Sequence, residues 1–400
     1  MQDMNDARFD AQSLASALSN DNGPPENEHF DLEKATTHGS HTSRHEPATR
    51  IVTASDWAGP DDPANPHNWT LFKRCYTTFA VGAISFAVTA GSSLVTPAVP
   101  EIATHFHVCR TAAIGASLSI YVLGLATGPI LAAPISESYG RKVVYTITPP
   151  IALLFLLGAG FAKTYPDLLI CRFFAGATGA PPLAVGAGTN ADLFPQQTRA
   201  VATCFFVMMP FLGPALGPVI GGFTAQYKGW RWTQWVTIFI GVVYYGSVLL
   251  TQETYKKIIL ARRAKKLGVE GPPQPSPKTW MFWKMMFTVT LFRPIHMLIS
   301  EPIVFFLSLY NSFTFSVLFA YFGSYPYIFE SVYGFNQWQT GLAFLGVLIG
   351  VFLAVGITVA IDRKVYMRKW HQAIEQGKVA AAPEHRLYAA MFGSFGVVIG

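Results

Sequence analysis

Charge is scarce in this 400-residue sequence. Asp, Glu, Lys and Arg make up 13% of it, against about 25% in soluble chains. Cysteine is scarce too: Cys75, Cys109, Cys171 and Cys204 show no CxxC or other ligand spacing, which excludes a disulfide framework and a zinc module. No GxxxxGK[ST] loop occurs, so ATP-driven pumping is not expected, and no HExxH run or paired intramembrane carboxylates point to an enzyme. The N-terminus is acidic and polar and lacks the short apolar run of a secretory leader. Neither a metal nor a cofactor is expected.

What is present is apolar. Mean hydropathy is +0.31 although the first 70 residues are polar. Residues 1–70 hold 12 acids and 4 bases. Subtracting from 23 and 29 leaves 11 acids and 25 bases for the remainder, a formal +14. In a soluble nucleic-acid binder the bases would interrupt the apolar runs; here they fall between them, so no nucleic-acid partner is expected.

Residues 1–72 read as a disordered tail. Its His38, His41 and His45 are a conceivable metal set, but a solvated tail is the simpler reading. A membrane helix needs about 20 apolar residues. That criterion places spans near 75–98, 112–135, 143–162, 168–191, 200–225 and 232–251, a basic segment over 254–296, and further spans near 297–325 and 338–361. A ninth begins at about Leu387 and reaches Gly400 after some 14 residues, about 21 Å of an approximately 30 Å core. The sequence therefore reads as a chain truncated within its ninth span, with an amino half over 73–253 and a partial second half over 297–400. Alternating the spans puts 20 Lys and Arg on the side of the N-terminus and four on the other. Basic loops stay inside, so the N-terminus is cytoplasmic. Trp230, Trp232 and Trp235 then fall at the outer interface.

Five sequence features carry mechanism. The loop between the second and third spans runs Ala133-Pro-Ile-Ser-Glu137-Ser-Tyr-Gly140-Arg141-Lys142. Its glycine permits a tight turn, its carboxylate suits a helix N-terminus or an arginine, and its bases hold the loop cytosolic. The fifth span contains Gly213-Pro-Ala-Leu-Gly217-Pro218-Val-Ile-Gly221-Gly222, glycines that let helices approach closely around a proline that removes a donor. Arg172 lies about one turn inside the fourth span. It is either functional, as a costly intramembrane charge usually is, or it snorkels to the surface beside Asp167. On its face, Gly176, Gly179, Gly186 and Asn190 follow. Ser85, Thr89, Ser92 and Thr96 form a line of hydroxyls on the first span, either lining an aqueous path or bonding to neighbouring helices and their own backbone. Tyr310, Asn311, Thr314 and Tyr321 form a similar face on the seventh. No carboxylate sits mid-span, so the proton carrier of any coupled transport is not identified; Asp192 and Glu301 are nearest, at the cytoplasmic edge.

The loop resembles the G-x-L-A-D-R-x-G-R-K signature of the major facilitator superfamily, with Ala133 and Ser138 departing from it. Gly213–Gly222 resembles the GPxxGG motif of its proton-linked antiporters, and Arg172 with Gly176 its RxxxG motif. Asp62-Pro-Ala-Asn-Pro-His-Asn68-Trp69, Gly229-Trp-Arg-Trp232 and Arg293-Pro through Glu301-Pro302 are similar to fungal twelve-span drug:proton antiporters of the polyamine and azole-exporter group. The likeness covers about residues 57–400. It implies an all-α polytopic membrane protein of the major facilitator fold, a six-helix bundle plus a partial second one. In the resemblance, Glu137, Gly140, Arg141, Lys142, Arg172, Gly217, Pro218, Gly221 and Gly222 couple protons to conformation. The first, fourth and seventh spans border the cavity, which makes Ser85, Thr89, Ser92, Thr96, Asn190, Tyr310, Asn311, Thr314 and Tyr321 the substrate candidates. The expected function is proton-coupled export of small amphipathic or cationic organic molecules by a monomer in the lipid bilayer, in the plasma membrane rather than the vacuole. The alternative is a non-transporting fragment or sensor on the same scaffold.

Overall fold

The computed structural model describes residues 56–268, 288, 292–376, 391 and 393. The chain divides into Met1–Arg50 and Ile51–Gly400, and every described residue belongs to the second unit. Most of the expected tail and the expected ninth span lie outside the described residues, as does 269–287 of the central segment.

Among the described residues every regular element is helical. In chain order these are α1 (Leu71–Ser93), α2 (Val99–His105), α3 (Arg110–Ile114), α4 (Ile120–Tyr139), α5 (Arg141–Gly160), α6 (Tyr165–Gly179), α7 (Pro181–Leu193), α8 (Gln196–Lys228) and α9 (Trp230–Leu249). Then follow α10 (Lys256–Leu267), α11 (Arg293–Ser300), α12 (Pro302–Ser331), α13 (Gln337–Ala343), α14 (Leu345–Ile361) and α15 (Met367–Glu375). Among the described residues, seven stretches of helix are long and apolar enough to cross a membrane. The helix α9, 20 residues long, is not among these seven.

Chain chemistry sets the breaks. Gly140 at φ 102° and Gly229 at φ 83° turn α4 into α5 and α8 into α9 without a loop. Pro181 and Pro182 lack the N–H donors that would continue α6, so the expected fourth span is two helices, α6 and α7. Thr164 and Asp167 close a capping box at the start of α6. The seventh span starts later than the sequence suggests. Glu301 is extended, Pro302 opens α12, and residues 293–300 form the separate helix α11.

The first span is the centre of the bundle. Helix α1 packs against α8 and α9, α4 against α6, and α5 against α6 and α9. One core cluster gathers Val81, Ile84, Val144, Tyr145 and Phe206 near the Arg141 end. Another gathers Val99, Ile102, Leu168 and Trp230 at the opposite, Trp230 end. Outward-facing Leu154, Phe239, Val243 and Phe306 are 61–70% exposed, a surface that suits hydrocarbon rather than water.

Residues 56–70 depart from the expected tail by folding into a strap before α1. Asp62 Oδ2 accepts from Ala58 N (2.9 Å) and its Oδ1 from Ala64 N (2.9 Å). Asn68 Nδ2 donates to the Pro60 and Asp62 carbonyls, and Trp69 packs against Leu193, Phe194 and Ala202.

Candidate transport site

At the Arg141 end the tight turn at Gly140 leaves the first N–H groups of α5 without helical partners. Glu253 supplies them. Its Oε1 accepts from Arg141 N (2.9 Å) and its Oε2 from Lys142 N (3.2 Å). A side chain at Gly140 would run into this carboxylate. The Arg141 guanidinium donates to Ser136 Oγ (2.8 Å) and to Asp192 Oδ2 (3.3 Å), and lies 4.8 Å from the Tyr255 ring centroid. Thr254 Oγ1 reaches the same Asp192 oxygen at 3.5 Å. Among the described residues Lys142 Nζ reaches the Leu249 carbonyl, at 3.5 Å. Glu137, the loop's own acid, is exposed and makes no hydrogen bond or ion pair among the described residues. The acid that meets this helix N-terminus is Glu253, 112 residues further on. Sequence spacing carries no signal for that meeting.

Arg172 does not snorkel. It is 1% exposed. Its Nη1 donates to the Gly91 carbonyl at 2.9 Å and toward Gln234 Oε1 at 3.5 Å, and the guanidinium sits 4.6 Å from the Tyr121 ring centroid. Tyr121 is fixed in turn by donating to the Val88 carbonyl at 2.8 Å. Asp167 is occupied in its own capping box. Gly176, one turn on from Arg172, lets α6 come against the Tyr121 backbone. Thus α1, α4, α6 and α9 jointly hold one buried cation by a carbonyl, an amide and a ring. A glutamine inside the sixth span was a visible clue; Tyr121 gave none.

The fifth-span glycines form a seam with two faces. A Cβ at Gly213 would stand 2.6 Å from Ala90 N, and at Gly217 it would stand 3.0 Å from Leu94 N; at Gly221 it would strike the Leu94 carbonyl. These three let α8 lie directly on α1. Gly222 faces the other way, and its Cβ would stand 2.7 Å from the Gln337 carbonyl and 3.1 Å from Trp338 Cα. Gly341 abuts the Pro218 carbonyl from that same side, and Phe223 stacks on Trp338 at 5.9 Å. Arg110 and Glu330 pair at 2.9 Å. Near the Trp230 end α3 and α8 are therefore in contact with α12 and α13.

Between them lies a cavity of about 1000 Å³, bordered by α1, α4, α7, α8 and α12. Its hydroxyls are Thr89, Ser92, Ser119 and Ser316, and its described lining holds no charged side chain. Two of the candidate contacts, Thr89 and Ser92, are there. Ser85 is buried and donates to the Val81 carbonyl, and Thr96 is buried away from the cavity. Asn190 is buried and accepts from Thr78 Oγ1 at 2.9 Å, also outside the lining. On α12 the cavity face is Phe315, Ser316, Phe319 and Gly323, not Tyr310, Asn311, Thr314 and Tyr321. Thr314 satisfies itself on the Tyr310 carbonyl at 3.0 Å, and Tyr321 packs on Tyr325. Polarity on that helix therefore did not mark the lining.

Residues 81–400 match the family model described as Major Facilitator Superfamily. The chain belongs to that superfamily. It is 40% identical over 315 residues to Polyamine transporter 4 of Saccharomyces cerevisiae, covering 78% of this chain and 47% of that one. Efflux pump radE of Floropilus chiversii is 32% identical over 377 residues, 91% of this chain and 68% of that one. The multidrug transporter FLU1 of Candida albicans is 35% identical over 349 residues, 86% and 56%. The chain thus spans about half the length of Polyamine transporter 4. Among solved structures, the superfamily's proton:xylose symporter XylE aligns with a TM-score of 0.53 at 14% identity, over 81% of this chain and 79% of that one. That likeness concerns the fold alone. The superfamily makes this an integral, multi-pass membrane protein.

Proposed function

We propose that the chain works as a secondary active exporter, exchanging small amphipathic organic molecules for protons. The observation that carries this is the central cavity of about 1000 Å³, walled by helices of both halves beside the glycine seam. A cavity of this size accommodates a drug-sized molecule, and its apolar wall with four hydroxyls favours amphipathic ligands of many shapes. Nothing in the described lining favours a cation over a neutral molecule. In this reading the Arg141 end faces the cytoplasm, where bases predominate. The Arg110–Glu330 and Phe223–Trp338 contacts then close the outer mouth, and the cavity becomes accessible from each side in turn. Residues 73–253 act as one half and those from 297 onward as the other. The plasma membrane is the assigned site, with the tail cytoplasmic and a monomer as the working unit.

The chain's role in proton-driven movement is tested in vesicles carrying it. An imposed pH gradient should drive a fluorescent amphipathic dye out of the cytoplasmic compartment, and a protonophore should abolish the movement. Dye movement no faster than in empty vesicles would favour a non-transporting membrane protein.

The cavity assignment gives a separate prediction. A Cβ added at Gly323 meets nothing within 4 Å and points into the space beside the cavity lining, so Gly323→Trp should fold normally and fill part of the space. Export of bulky substrates should fall about tenfold while the smallest are spared. Equal loss for all sizes would place the substrate path elsewhere.

A further inference from the structure

The strap before α1 carries a residue that neither the cavity nor the glycine seam uses. Asp62 is 1% exposed. Arg263, on α10, meets it with both terminal nitrogens, Nη1 to Oδ2 and Nη2 to Oδ1, each at 2.7 Å. Two backbone N–H groups complete the carboxylate's shell. Exposed contacts surround this core: Lys256 pairs with Asp56 at 2.7 Å and lies over Trp57, and Lys73 donates to Gln252 Oε1 at 2.7 Å. The partners are 201 residues apart. One precedes the first span and the other follows the sixth, so the pair joins the two chain ends of the amino half.

Between α9 and α10 lies the stretch that carries Glu253, 6% exposed, on the N-terminus of α5. Only six residues separate the end of α9 from the start of α10. The placement of Glu253 therefore depends on where α10 is anchored. Ile258, Leu260 and Ala264 give α10 a small buried face. Its exposed Lys257, Arg262, Lys265 and Lys266 repel one another and favour release into water. A bidentate ion pair with a buried carboxylate supplies the directional hold that the apolar face lacks.

We propose that residues 56–70 act as a strap which, through Asp62 on Arg263, holds α10 in place and so positions Glu253 on Arg141 and Lys142. Asp62 and Arg263 are positioning residues: they touch neither cavity nor substrate and act through Glu253. The consequence for transport rests on the proposed export function; the consequence for structure does not.

Hydrogen exchange on the full chain in membranes separates these. Three segments are read: α10, the first turn of α5, and the middle of α1 as a control. Asp62→Asn and Arg263→Ala should each raise exchange in α10 and at Arg141 and Lys142 by about tenfold or more, leaving α1 unchanged. The double variant should be no worse than either single one, because both remove one interaction. Arg263→Lys, which keeps the charge without the fork, should fall between. Asp56→Asn, at an exposed pair, should change little. Charge reversal is not a fair rescue, since an arginine at 62 cannot accept from Ala58 and Ala64. Export should lose maximal rate with KM unchanged, and Glu253→Gln should reproduce that loss without adding to it. Unchanged exchange in α10 overturns the strap. Exchange that rises in α10 but not at Arg141 and Lys142, or that leaves the maximal export rate intact, overturns the positioning role. Absence of export in every variant, the parent included, counts against the exporter reading and leaves the exchange result to decide the strap.

The pair also fixes a pH dependence. The hydrogen bonds from Arg263, helped by the two N–H groups and opposed by burial, hold the Asp62 carboxyl well below the usual carboxylate range. A depressed acid contributes stability above its unfolded value, about 3.9, and loses it as pH falls from there toward the folded value. Protection of the Ala58–Ala64 segment should thus be level from pH 8 to about 5 and decay only below about 4. Loss already at pH 6 would contradict the pairing.

Discussion

Gly221→Leu is expected to cut export at least about tenfold while the amount of protein in the membrane stays the same. The added Cβ would stand 2.8 Å from the Leu94 carbonyl carbon. That atom belongs to backbone and cannot swing aside as the tip of a long side chain would. Overpacking of this kind costs about 1–3 kcal/mol, and each 1.4 kcal/mol is a factor of ten in a conformational equilibrium. Insertion should not suffer, because leucine is favourable in hydrocarbon. The cost falls on the α1–α8 contact, one of the surfaces on which the amino half is assembled. Gly222→Leu makes a useful partner, because it presses on Gln337 and Trp338 of the second half instead. It should loosen the Trp230 end and raise the reactivity of cysteines placed there. Export at the parent rate from Gly221→Leu, measured at equal expression, would remove the seam from the mechanism.

The second large effect concerns Arg172. Arg172→Ala should lower export by about 100-fold, and Arg172→Lys by about tenfold. Burying a lone arginine costs roughly 2.5 kcal/mol or more on insertion scales. Here the cost is offset by the Gly91 carbonyl, Gln234 and the face of Tyr121. Truncation to alanine leaves a buried carbonyl and an amide without their donor, at about 1–3 kcal/mol each. Lysine restores the charge but neither the planar fork nor the stacking. Tyr121→Phe is milder: the ring stays under the guanidinium and only the bond to the Val88 carbonyl goes. A role in proton coupling adds a signature that packing alone does not produce. The pH profile of export should flatten in Arg172→Lys as well as drop. A profile of unchanged shape would leave Arg172 a structural residue.

Much of the architecture was legible because membrane helices are marked by what surrounds them. The third span, expected over 143–162, is α5 at Arg141–Gly160, and the fifth, expected over 200–225, is α8 at Gln196–Lys228. Gly140 and Gly229 are turns at the ends of those apolar runs, so composition alone located them within a few residues. The glycine motif was legible for the same reason: a residue without a side chain matters only where something comes close. What escaped were meetings between distant parts of the chain. Glu253 on the α5 N-terminus and Asp62 on Arg263 join residues 112 and 201 positions apart, and neither local pattern nor charge count encodes such a pairing. The lining of α12 escaped for a different reason. Hydroxyls in a helix bond readily to their own backbone, as Thr314 does to Tyr310, so a polar stripe need not face a cavity. The strap escaped because its Pro, Asn and Asp content reads as a tail until Asp62 finds its arginine.

Central to this account is that the two halves part and rejoin at the Trp230 end. Tyr227, at the end of α8, and Val332, just after α12, are 72% and 71% exposed there and can carry spin labels without entering the seam. The distance between them, measured in lipid with the four native cysteines replaced, should show two populations. Their ratio should shift when substrate is added or the pH is changed. A single distance, the same under every condition, would contradict alternating access in this chain.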